Sequence, residues 1–159
     1  MALHLEGQVT SPAQSVAAEL IAQGIGTAGT PTPTVWSICV GRLLDSPDEL
    51  LAIFDTGGFS PNTKWQLDFP TVQVIIRGGK DEYAEGYAKA LSIKDALLGI
   101  DPKEVETGVW WSGVTMLADI AFLKYDENSR PMFSVNFRIF QELTPSAGSH
   151  RASLDDPNG

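Results

Sequence analysis

The clearest pattern along the chain runs from Phe69 to Leu98. Val72, Val74 and Ile76 alternate with Thr71, Gln73, Ile75 and Arg77, the period-two signature of a strand with one face turned to a core. Gly78-Gly79 ends it, and a helical period follows. Tyr83, Tyr87, Leu91 and Leu98, with Ala84 and Ala90 beside them, form the apolar stripe predicted to face the sheet, and Glu82, Glu85, Lys89 and Asp95 lie off it. The expectation is a helix lying across a strand, with the remaining strands added around that pair.

Ser11-Pro12 reads as a helix start, with Ser11 as N-cap and Pro12 in the first turn, where its missing N–H costs nothing. Ala13, Val16, Ala17, Leu20 and Ile21 make its apolar stripe and Gly24 its stop. Residues 1–10 read as a loose arm, and 25–33, rich in Gly, Thr and Pro, as a linker. Residues 34–43 read as a strand. Residues 49–56 suit a strand or a helix; as a strand they would form a hairpin with 34–43 across Asp45–Asp48. Residues 57–68 read as a long loop carrying Phe59 and Trp65. Residues 105–111 and 114–124 read as extended. Phe133, Val135, Phe137 and Ile139 alternate with Ser134, Asn136 and Arg138, so 117–124 and 132–141 are predicted to pair as an antiparallel hairpin around the polar turn Asp126–Pro131. The fold class expected is α+β: a mostly antiparallel sheet of about five strands with two helices packed on it. Residues 1–143 make the domain and 144–159 a polar, flexible tail.

Composition adds little to the fold but narrows the chemistry. With 43% hydrophobic and 19% charged residues the chain is an ordinary globular one. A lone cysteine, Cys39, inside the apolar run 35–40 excludes an internal disulfide and reads as a buried small hydrophobe. No apolar run reaches the ~20 residues of a membrane span, so no membrane partner is expected. A formal charge of −9 opposes tight phosphate binding; an acidic surface would let DNA pass without sticking.

No catalytic, cofactor-binding or metal-ligating residues are predicted. Gly24–Gly29 imitates a dinucleotide fingerprint but follows a helix and leads to prolines. His4 and His150 stand near opposite termini with no Cys pair. The acidic pairs Asp45/Asp48, Asp55/Asp68 and Asp126/Glu127 read as solvated caps before they read as catalytic dyads. Trp110-Trp111, adjacent in a strand, must point to opposite faces; Trp111 is assigned the outward, partner-binding place.

The order of these segments resembles the tailed-bacteriophage tail-terminator and minor capsid family, also called tail-completion or neck proteins. The resemblance spans Ser11 to Glu142. It rests on Asp55-Thr56-Gly57-Gly58, on Phe69-Pro70-Thr71-Val72-Gln73-Val74 with Arg77-Gly78, and on Asp126-Glu127-Asn128-Ser129-Arg130-Pro131 leading into Phe133-Ser134-Val135-Asn136-Phe137. Ser129 stands where the family's turn suggests glycine. The resemblance implies a virion protein at the tail–neck junction, a homohexameric ring that caps the tail tube, stops its polymerisation and meets the head–tail connector or stopper, with DNA passing through its lumen. The contact surfaces expected are the segment around Phe59 and Trp65, the turn Asp126, Glu127 and Arg130, and Trp111, with Arg77 and Arg138 in salt bridges between subunits; these are read from this chain and not carried over from the family. A head-completion protein and a small acidic enzyme are the competing readings.

Overall fold

A computed structural model describes residues 10–62 and 64–143. The expected N-terminal arm (all but Thr10), both histidines and the C-terminal tail lie outside the described residues. Among them are two helices, α1 (Pro12–Ala22) and α2 (Tyr83–Leu98), and seven strands: β1 (Gly26–Thr27), β2 (Trp36–Val40), β3 (Leu50–Asn62), β4 (Leu67–Arg77), β5 (Lys103–Glu106), β6 (Val109–Tyr125) and β7 (Pro131–Leu143). They form one mixed sheet in the order β1-β2-β3-β4-β7-β6-β5. The α+β class holds; the strand count rises from about five to seven because the two-residue β1 and four-residue β5 are too short to show a period.

Helix α1 begins as its sequence dictates. The Ser11 hydroxyl accepts from the Gln14 amide at 3.3 Å, and the Gln14 side-chain oxygen accepts from the Ser11 amide at 2.8 Å, a closed capping box. Asp55 on β3 accepts from the Ala13 amide at 2.8 Å, so a carboxylate meets the positive end of the helix and pins it to the sheet. Lys103 on β5 pairs with Glu19 on α1.

Both helices lie on one face of the sheet, over a core that includes Val16, Leu20, Ile53, Val74, Ile76, Ile93, Trp111, Phe133, Val135 and Phe137. The alternations of β4 and β7 are as expected. The face of α2 is not. Its buried residues are Gly86, Ala90, Ile93 and Leu97, whereas Tyr83, Tyr87, Leu91 and Leu98 are exposed. The sheet beneath presents Phe133, and a helix can only settle on that ring through its smallest residues. Tyr83 and Tyr87 flank the ring edge-on, 5.0 and 6.1 Å away by centroid.

Two connections also differ from the sequence reading. Strands β2 and β3 pair in parallel, Ser37 opposite Leu50 and Val40 opposite Ile53, so residues 41–49 are a return path and not a hairpin turn. That return is held on the side of the sheet away from the helices, where Cys39, Leu50, Ala52, Ile75 and Met132 make a second buried cluster. The "long loop" 57–68 is largely strand. Beyond Asp55 the β3–β4 hairpin continues through a bulge at Gly57-Gly58, with β3 running to Asn62 and β4 starting at Leu67. Gly58 has φ +129°, and a side chain there would collide with the Phe69 carbonyl oxygen. Glycines that resembled a turn in the sequence instead keep the strand going.

The β6–β7 hairpin pairs antiparallel as predicted, from Val109 opposite Leu143 to Tyr125 opposite Pro131. Four register shifts occur along it, each adding a residue to β6.

Candidate functional site

The charged residues near the β6–β7 turn are engaged with one another. Asp126 Oδ1 accepts from the backbone amides of Asn128 (2.9 Å) and Arg130 (3.0 Å), and its Oδ2 accepts from Arg130 Nε at 2.7 Å. Arg130 Nη1 reaches across to the Asp45 carbonyl at 2.7 Å and to Asp48 Oδ1 at 3.0 Å. Arg77, only 2% exposed, donates to the backbone oxygens of Asp48 (3.0 Å) and Pro47 (2.7 Å). Two arginines thus lash the 41–49 return to β4 and to the turn. Burial alone would raise the Asp126 carboxyl. The bonds from the Arg130 amide and guanidinium and from the Asn128 amide outweigh it and hold the pKa below the ordinary carboxylate value. At Arg77 burial lowers the pKa, with the neighbouring Arg130 charge acting the same way.

This geometry corrects three of the expected contact residues. Arg77 and Arg130 are buried in the chain, where both guanidinium groups are engaged in internal ties. Trp111 is 1% exposed within the core, its indole N–H donating to Gln141 Oε1 at 3.2 Å; Trp110 is the tryptophan that faces out. Parity places the two rings on opposite faces but does not say which face is which. Asp126 is committed to Arg130, while Glu127 is exposed on the turn.

Phe59 and Trp65 do lie on the surface, on the projecting half of the β3–β4 hairpin, 53% and 62% exposed. Lys64 Nζ stands 5.0 Å above the Trp65 ring. Phe59 folds onto Arg138 of β7, whose guanidinium carbon is 5.1 Å from its ring centroid and 4.9 Å from that of Phe140. Hence Phe59, Trp65, Glu127 and Arg138 sit at the surface or its margin, and of these Phe59 and Arg138 meet.

A larger feature lies elsewhere. Strand β5 pairs with β6 only at Val109, Trp110 and Trp111, so among the described residues Ser112 to Tyr125 have no strand on that side. Along this open edge and the outer side of α2 lie Leu117, Phe122, Leu123 and Tyr125 with Tyr83, Tyr87, Leu91 and Leu98. With Trp110, which faces away from the helices, they make nine of the thirteen exposed large apolar side chains among the described residues. Phe122 is stacked against Tyr83, Tyr125 and Phe133 at 5.2, 5.4 and 5.5 Å. The signal for this patch was present in the sequence as the Tyr83–Leu98 stripe, read as core.

A concavity of about 650 Å³ lies between residues 31–34 and α2. Lys89 crosses it, donating to the carbonyls of Ile25 (3.2 Å) and Thr34 (2.8 Å) over the Trp36 ring. Its pKa is lowered by burial. Among the described residues no group of His, Cys, Asp or Glu is placed to hold a metal ion. No described helix is long and apolar enough to cross a membrane.

The chain is thus an α+β domain whose Arg77, Asp126 and Arg130 are spent on internal ties and whose exposed large apolar side chains lie mostly along β6 and α2. The family model for the bacteriophage tail terminator protein matches residues 19–143, most of the chain, and the protein belongs to that family. It is accordingly a structural component of a phage tail. Comparison with curated proteins gives no match.

Proposed function

We propose that the protein assembles as a homohexameric ring on the end of the tail tube, halts tube polymerisation and offers its far side to the head–tail connector. Family membership supports the tail role. The observation that supports self-assembly is the open edge of β6 with its apolar lip, since a soluble chain rarely leaves so many large apolar groups together without a partner. Strand β3 offers a second open edge on the opposite side of the sheet, because β2 pairs only with Leu50–Ile53 and leaves Phe54–Asn62 unpaired on that side among the described residues. Unlike edges on opposite sides permit a head-to-tail contact, the kind that closes into rings. A net charge of −9 suits a lumen that DNA traverses without binding.

The test is electron microscopy of the pure protein, alone and mixed with tail tubes grown without it. Six-fold rings and capped tubes of fixed length are the expected result. Tubes that elongate unchanged, with the protein binding only a portal–adaptor complex, would favour a head-completion role instead.

A further inference from the structure

Arg138 stands out among the basic residues. Parity on β7 turns it away from the helical face, because Phe137 and Ile139 lie in the core on either side of it. Its guanidinium is held between the Phe59 and Phe140 rings. Its Nε is buried and has no hydrogen-bond partner. Arg77 and Arg130 show what this chain does elsewhere with a buried guanidinium: each is given several oxygen acceptors. A buried donor without an acceptor is costly, and a guanidinium clamped by two rings has already lost the freedom that binding would otherwise remove.

We infer that Arg138 is a preformed seat for a carboxylate side chain of a second copy of this protein. Charge complementarity favours the occupant: the chain carries 20 acidic against 11 basic residues, so a second copy presents an excess of carboxylates to a cationic seat. Position agrees. Thr115 on β6 and Thr71 on β4 are the cross-strand neighbours of Arg138. The backbone of the seat is therefore one strand in from the open edge of β6, and its guanidinium meets Phe59 of β3 on the sheet's outer face. The planar fork of arginine can take a carboxylate through two parallel bonds. This inference rests on the ring reading above.

The experiment compares wild type, Arg138→Gln, Arg138→Lys and the exposed-site control Arg42→Gln by native mass spectrometry and sedimentation, alone and with tail tubes, after thermal melts establish that each is folded. Arg138→Gln is expected to weaken self-association at least about tenfold, and Arg138→Lys to restore little of it, because an ammonium lacks the fork. Arg42→Gln should behave as wild type. A photo-crosslinking residue in place of Phe59 should capture a second copy. Equal association of wild type and Arg138→Gln would overturn the inference and leave the ring intact. Capture of tube protein or DNA would overturn it in favour of that partner. A wild type that never self-associates, even with tubes, would remove both readings.

Discussion

Gly86 of α2 lies against the ring of Phe133 on β7 so closely that a Cβ would stand 2.7 Å from Cε2. The contact sets how deeply the helix sits, and the two tyrosines on either side depend on it to close over the same ring.

Replacing Gly86 by alanine tests this directly. In an exposed helix the change would stabilise by about 1 kcal/mol. Here the added methyl meets a ring boxed in by Tyr83, Tyr87 and Phe122, and overpacking costs about 1–3 kcal/mol. Gly86→Ala is expected to be net destabilised, by up to about 2 kcal/mol, in urea unfolding. A stabilised variant would refute the tight fit.

The neighbouring tryptophans should separate cleanly. Trp111→Ala removes a fully buried ring and the partner of Gln141, and should lose about 3–5 kcal/mol. Trp110→Ala should cost clearly less than Trp111→Ala in denaturant, because its ring is 38% exposed. Its effect is expected on assembly in the presence of tail tubes, read by sedimentation.

Arg130→Met should detach the 41–49 return from the turn, leaving Asp126 without its cation, at a cost of about 3 kcal/mol. The same cluster predicts an acid dependence. Because the folded pKa of Asp126 lies below its unfolded value, its contribution is complete above about pH 4 and is lost as pH falls through the folded pKa. Denaturation midpoints of wild type and Asp126→Asn, measured from neutral pH downwards, should converge over that interval.

Ser129 has φ +58°, the conformation that the turn's family pattern assigns to glycine. A β-carbon there costs about 1–2 kcal/mol, partly offset because glycine gains more freedom in the unfolded chain. Ser129→Gly should raise stability by about 0.5–1 kcal/mol, seen as a higher melting temperature.

The parts of the fold readable from the sequence are those where one local rule decides the outcome. Ser11, Pro12 and Gln14 specify a helix start without help from distant residues, and the alternation through Phe133 and Ile139 needs only a core on one side. The misreadings share a different origin. Whether Tyr83 or Gly86 faces the sheet depends on the size of Phe133, some fifty positions away. Whether 41–49 turns or returns depends on Arg77 and Arg130, which look like surface charges until the backbone oxygens of Pro47, Asp48 and Asp45 are brought to them. The exposed apolar face of α2 is obscure in the sequence for the same reason: its Tyr83–Leu98 stripe has the spacing of a core face. Arg138 was singled out by its place on the outer face, but nothing in the sequence indicated that Phe59 would fold over it.

The four extra residues of β6 bear on how copies of this protein can meet. A border that gains a residue on its neighbour again and again is wound like a spring, and its amides and carbonyls point in changing directions along its length. Flat stacking of the cross-β type needs a straight row of such groups, which this rim withholds. A molecule that paired with it would be rotated relative to its host, which opposes the flat stacking of a cross-β fibre.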